Sequence, residues 1–414
     1  MASTLSLITA NEPPLATGVD ERRRSSDEAQ GQARLRLLLL TVGLGIGGTE
    51  EQIKELALRL DRRRYDVTVC ALKGRGIIAD ELIAQGVPVA LLEGKGKGDV
   101  RVLPRLYRLI QSLRPDIVHA FLSQANLGAA LVGRLLAEPI VVWSCRDLDI
   151  WKTGLHWQLD HWAVRRAAAV TCCSDSVRRY VSQHMRLPPE RITTIHNGVD
   201  RARFLAPSQV GRAQLGLRDH LPVVGVVCRL DEPKKGLAVL LRAMRLSADR
   251  GDAPAWQLLI VGEGPAREEL ERLSASLGLA ERVVFAGPRR DVAAVLPLMD
   301  VFVCPSLYEG FGIAIVEAMM TGLPVVASSA GGIVEIVRSG DTGLLVPPGD
   351  PAALAEAIQE VLGHPDKAAR FGREGRQVAE AEFSVETMVE RHGTLYESLM
   401  GAAGPRRAVQ QEKR

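Results

Sequence analysis

Residues 35–42 form an unbroken apolar run of strand length. It ends in Gly43-Leu44-Gly45-Ile46-Gly47-Gly48-Thr49-Glu50, and a helical pattern follows to Leu60. A strand that is apolar throughout, rather than at alternate positions, is buried on both faces, as in a parallel sheet covered by helices. The strand–turn–helix unit recurs. Strands are expected at 65–72, 87–92, 115–120, 140–145, 170–173 and 192–195, with helices at 79–85 and 102–113 between them. A linker at 206–212 leads into a second series, with strands at 223–227, 256–261, 283–285, 301–304, 324–327 and 343–346. Helices are expected from Leu237 and over 266–277, 291–298, 351–362, 367–381 and 385–400. The pattern predicts an α/β chain of two doubly wound, Rossmann-like domains, at 31–205 and 206–384. A chain of 414 residues is also too long for one compact core.

Residues 1–30 and 401–414 are polar and read as disordered tails. No apolar run approaches the roughly 20 residues of a membrane span, and no signal peptide is visible in the first 30 residues. The expected location is cytoplasmic, with the inner face of a membrane as a peripheral site. Six cysteines without a C-x-x-C suit buried thiols better than a disulfide frame or a zinc site. Residues 31–204 hold 26 Lys and Arg against 17 Asp and Glu, a net of +9, whereas 205–414 carry −4. A basic first half points to an anionic partner or surface. The 102–113 helix, with Arg101, Arg105 and Arg108 mainly off its apolar face, either packs on its sheet or touches anionic lipid. No nucleic-acid module is recognisable.

The chemistry concentrates in the second half. Pro305-Ser306-Leu307-Tyr308-Glu309-Gly310-Phe311-Gly312 joins a strand to a helix starting near Ile313, with Glu317 one turn inside it. Glycines before a helix let backbone approach a ligand, and the first-turn amides favour an anion. Two carboxylates beside such a turn fit a ligand that is anionic in one part and hydroxylated in another. A nucleotide sugar is such a ligand. Strand 223–227 ends in Cys228-Arg229-Leu230-Asp231-Glu232-Pro233-Lys234-Lys235-Gly236, where Arg229 and Lys235 offer fixed cations to a diphosphate. Gly43, Gly45 and Gly48 fit G-x-G-x-x-G, but Lys73 follows the next strand where a dinucleotide site wants an acid. This leaves an NADP-dependent oxidoreductase as a rival. A non-catalytic sugar-nucleotide-binding protein is a second rival. Asp147-Leu148-Asp149 has the form of a metal-binding D-x-D and is too short to weigh.

The stretch 305–320 with E-x7-E, the Arg229-x5-Lys235-Gly236 element, Gly322-Leu323-Pro324 and Gly331-Gly332 resemble the retaining GT-B glycosyltransferases of family 4. The resemblance spans roughly 35–400. It implies a GT-B fold, two Rossmann-like domains facing a central cleft, with the 385–400 helix returning to the first domain. It implies hexosyl transfer from a UDP- or GDP-linked donor to a saccharide or lipid-linked acceptor, in cell-surface or exopolysaccharide assembly, with no cofactor and no metal. By resemblance, Arg229 and Lys235 grip the donor diphosphate. Glu309 stabilises the reacting sugar or acts as its nucleophile, and Glu317 binds ribose. His119 contacts a sugar hydroxyl. Gly47, Gly48, Gly264, Arg289, Gly310, Phe311 and Gly312 line the donor. Four tryptophans between 143 and 162 mark an acceptor region, with Arg146 and Trp151 as its candidates.

Overall fold

The computed structural model of the chain describes residues 7–8, 34–96, 98–136, 139–205, 210–250 and 255–411, the last stretch by backbone alone from 403. The chain divides into two compact units. Unit 1 comprises Met1–Cys173, Val177–Ile195 and Met388–Arg414, and unit 2 comprises Ser174–Ser176 and His196–Thr387.

Unit 1 carries strands β1 (Leu7–Ile8), β2 (Leu35–Thr41), β3 (Tyr65–Lys73), β4 (Val89–Gly94), β5 (Ile117–Phe121), β6 (Ile140–Cys145), β7 (Ala169–Cys172) and β8 (Ile192–Thr194). Their order is β1-β4-β3-β2-β5-β6-β7-β8. All neighbours are parallel except β1 against β4. Leu37, Leu38, Leu39 and Leu40 are all buried, as a strand covered on both faces requires. Helix Val102–Leu113 lays Leu106, Leu109 and Ile110 on this core. Its arginines have local partners: Arg105 donates to the Leu92 carbonyl, Arg101 pairs with Asp99, and Arg108 donates to the Pro104 carbonyl. The apolar face is spent on the sheet, the first of the two alternatives that the sequence offers for this helix.

Unit 2 carries β9 (Val223–Val227), β10 (Gln257–Val261), β11 (Val283–Gly287), β12 (Val301–Cys304), β13 (Val325–Ser328) and β14 (Gly343–Val346), in the order β11-β10-β9-β12-β13-β14. Every pairing is parallel. Its core joins Val224, Val226 and Ile260 to Leu240, Leu241 and Met244 of helix Leu237–Asp249 and to Trp256 and Phe371. The buried Trp256 indole donates to Ser247 Oγ at 3.0 Å, which satisfies its one polar atom.

Three expectations change. Residues 7 and 8 pair as a strand, while the rest of the tail expected over 1–30 lies outside the described residues. The last helix is Val385–Gln411 rather than 385–400, continued by helix formers such as Ala402, Ala403 and Arg406, and 412–414 lie outside the described residues. Helices Ser123–Leu135 and Gly154–Val164 were not foreseen.

Candidate active site

In unit 2 the sheet order reverses between β9 and β12: β10 and β11 lie to one side, β13 and β14 to the other. Such a switch point leaves a crevice outside the carboxyl ends of the two central strands. β9 and β12 run parallel there, with Val224 opposite Val301 and Gly225 opposite Phe302. Gly225 has no Cβ because the Met299 side chain fills that space.

The loops leaving these two strands are laced together. The Leu307 N–H donates to the Lys234 carbonyl at 2.9 Å. Gly236, at φ +64°, lets the Pro305 carbonyl approach where a side chain would clash. This lacing brings Lys235 Nζ to 2.5 Å from Glu309 Oε2. Ser306, which is buried, donates from Oγ to the same carboxylate oxygen at 3.4 Å. Burial alone would lower the Lys235 pKa, but the Glu309 carboxylate outweighs it and the net shift is upward. Lys235 is therefore a firmly held cation.

The third loop, after β13, supports the second. The Gly332 N–H donates to the Glu309 carbonyl at 3.0 Å, and Gly331, at φ +54°, lies against that same carbonyl. Gly310 is buried, and Gly312 starts helix Ile313–Met320 with φ +105°. Glu317 lies half-buried one turn inside that helix. Arg229 is exposed at the mouth of the β9 loop. Gly264 packs behind it against the Leu230 backbone, and the Leu230 N–H donates to the Glu263 carbonyl at 3.1 Å. Arg289, after β11, is held by Asp291 through contacts of 2.9 and 2.5 Å.

Phe311 is a correction. Its ring is buried and packs against His196 at 5.6 Å and Phe383 at 5.7 Å, so the side chain fills core instead of lining a donor. Ser306 was missed as a support for Glu309; its position three residues upstream, after Pro305, was the available signal.

In unit 1, His119 is also a correction. It is fully buried, with Nδ1 2.7 Å from the Tyr396 hydroxyl, Nε2 3.4 Å from the Thr171 hydroxyl, and its ring stacked on Phe121 at 4.2 Å. Burial, first of all, pushes its pKa down, and His392 and Arg146 add to this. Both nitrogens serve the fold and none is left for a sugar. Gly47 caps helix Gly48–Arg59, whose first turn already carries Glu50 and Glu51. The Glu50 carboxylate folds back over Gly47. Burial pushes its pKa up, with Arg146 opposing. A phosphate at Gly47 and Gly48 would meet that carboxylate, which counts against donor phosphates there and against NADP alike. Arg146 is half-buried, and burial lowers its pKa. Trp151 is exposed and donates from Nε1 to Asp149 at 3.2 Å. Asp149 also pairs with Lys152 and accepts from Ser123. All six cysteines are free thiols. Among the described residues, no cluster of three His, Cys, Asp or Glu is arranged for a metal, and no helix is long and apolar enough to cross a membrane.

Comparison with known proteins supplies a family for this arrangement. Residues 221–364 match the model for "Glycosyl transferases group 1", and residues 46–203 match that for "Glycosyltransferase Family 4". The chain is 32% identical over 293 residues to the 2-deoxystreptamine glucosyltransferase of Streptomyces kanamyceticus, covering 67% of this chain and 75% of that one. It is 28% identical over 273 residues to an Escherichia coli UDP-Gal:alpha-D-GlcNAc-diphosphoundecaprenol alpha-1,3-galactosyltransferase, covering 64% of this chain and 70% of that one. The crystal structure of Anabaena Alr3699/HepE in complex with UDP-glucose matches with a TM-score of 0.77 at 25% identity, over 88% of this chain and all of that one. The two parallel sheets are those of a GT-B fold, and the chain belongs to the group 1, family 4 glycosyltransferases, hexosyltransferases that use nucleotide-sugar donors.

Proposed function

We propose that this protein moves a hexosyl unit from a UDP- or GDP-linked donor to a lipid-linked or saccharide acceptor, with retention of anomeric configuration, in cell-surface polysaccharide assembly. The observation that carries the reading is the Lys235–Glu309 pair at the β9/β12 switch point, 2.5 Å apart. A cation and a carboxylate side by side suit the two ends of a glycosyl phosphate bond. As the bond between the anomeric carbon and the β-phosphate oxygen breaks, negative charge grows on the diphosphate and positive charge on the sugar carbon. Lys235, Arg229 and the amides at Gly312 stabilise the first, and Glu309 the second. The acceptor oxygen bonds to the carbon on the leaving-group face, and its proton passes to the departing phosphate. These fixed positive groups do the work that a metal does in other transferases. Glu317 holds ribose hydroxyls, and Gly264 and Arg289 border the base. Gly47, Gly48, Arg146 and Trp151 border the acceptor sugar, where the Glu50 carboxylate suits hydroxyls better than phosphate. The lipid-linked acceptor takes support from the E. coli relative, whose name contains diphosphoundecaprenol.

Donor choice is tested by thermal shift against a panel of UDP- and GDP-sugars, followed by product analysis by NMR. One donor class should stabilise the protein, and an α-linked donor should give an α-linked product. A β-linked product removes the retaining mechanism. Donor binding without release of nucleoside diphosphate, across a broad acceptor screen, favours a non-catalytic binding protein.

A further inference from the structure

Among the described residues, eleven large apolar side chains are conspicuously exposed, and five of them fall within thirteen residues of unit 1: Ile150 (50%), Trp151 (61%), Leu155 (66%), Leu159 (44%) and Trp162 (42%). Three of these, Leu155, Leu159 and Trp162, lie at i, i+4 and i+7 on helix Gly154–Val164, so they form one stripe. The opposite face of the helix is the buried one, through Asp160, Ala163 and Val164. The stripe is therefore not the face that holds the helix to the sheet. It spends apolar surface on solvent, which a protein without a partner there avoids.

The exposed charges beside it are arginines, while the acids Asp149 and Asp160 are partly or wholly buried and paired with Lys152. Arg134 stacks its guanidinium 4.3 Å from the Trp162 ring, and Arg134, Arg165 and Arg166 are all exposed. The only acid on the helix, Asp160, is buried and neutralised by Lys152 at 2.8 Å. Lys152 also takes up Asp149 at 2.7 Å. Tryptophan, leucine and arginine without exposed carboxylates are the composition of a segment that lies in the headgroup layer of an anionic bilayer. Each basic residue there adds attraction to an anionic surface, and the net charge of +9 over residues 31–204 acts in the same direction.

We infer that the stripe from Ile150 to Trp162 docks this protein on an anionic membrane surface. The inference gives the lipid-linked acceptor of the preceding section a place to be met, but vesicle binding reads it without any turnover, so each can fail alone. The experiment is co-sedimentation of the full chain with phosphatidylcholine vesicles, with and without about 30 mol% phosphatidylglycerol. Wild type should sediment with the anionic vesicles and much less with the neutral ones. The double variant Leu155→Ser/Leu159→Ser should partition about tenfold more weakly, with its thermal shift by nucleotide sugar unchanged as proof of an intact unit 2. Arg165→Gln should weaken binding to the anionic vesicles alone. Equal binding by wild type and the double variant overturns the inference, as does no wild-type binding at low salt. A wild-type dimer dispersed by the double variant, without vesicle binding, also overturns it and makes the stripe a contact between copies.

Discussion

Lys235 and Glu309 are 74 residues apart in the chain, and their charged atoms sit 2.5 Å apart with side chains only 19% and 13% exposed. Each charge neutralises the other. A diphosphate that approaches Lys235 must share it with Glu309. Glu309→Gln should therefore leave nucleoside diphosphate affinity unchanged or raise it a few-fold, while transfer falls by about 10²–10³ in kcat. Calorimetry with UDP and GDP beside a turnover assay separates the two effects. Unchanged turnover in Glu309→Ala, with the fold intact by circular dichroism, would remove Glu309 from the chemistry.

Arg229 and Arg289 make a contrasting pair. Arg289 is already forked onto Asp291, and Arg229 stands exposed at the loop mouth. Arg229→Ala should cost about 10²-fold in kcat/KM. Arg229→Lys should recover only part of this, since a point charge does not replace a planar fork. Arg289→Ala should raise donor KM only a few-fold. Comparable losses at both positions would contradict this division of roles.

Gly331 supports the Glu309 carbonyl at a positive φ and at a distance that leaves no room for a methyl group. Gly331→Ala carries a left-handed backbone cost of about 1–2 kcal/mol in addition to displacing the Glu309 loop. We expect a lower urea midpoint and loss of transfer together. Gly43→Ala is the control: its Cβ meets nothing within 4 Å, and stability should hold.

The buried histidines of unit 1 predict an acid-labile fold. Burial pushes His392 down to about 4 and pushes His119 down as well. Both are neutral when folded and bind protons more readily when unfolded, near the ordinary value of about 6.5. Their contribution is complete above that value and is lost as pH falls from about 6.5 towards 4, by up to about 1.4 kcal/mol per pH unit for each histidine. Urea midpoints measured from pH 7.5 to 5 should fall, and His392→Gln should flatten the slope. A flat wild-type profile would refute this.

How much of this was legible beforehand depends on the range of the interaction. β6, β9, β12 and β14 follow from short apolar runs with clear turn residues, and their ends match the expected ones to the residue. The lysine and glutamate of the switch point were legible as well, because glycines and prolines mark both loops. Helix Ser123–Leu135 escaped because Ala125, Gly128, Ala129, Ala130 and Gly133 are buried small residues that leave no polar face to read. Helix Gly154–Val164 escaped for the opposite reason: its large apolar residues sit on the exposed side and blur the period. His119 could be placed at a strand end, but its hydroxyl partner Tyr396 lies 277 residues away, beyond any local pattern. Phe311 reads as a loop residue until Phe383 and His196 close over it.

Unit 1 is completed by residues that come after unit 2 in the chain, with Tyr65 and His119 both closed by Tyr396 and its neighbours. During synthesis the ribosome releases unit 2 whole while unit 1 still lacks its last helix. Unit 2 is thus free to finish folding first, and a fragment cut after Ile195 would be left with an open seam over His119.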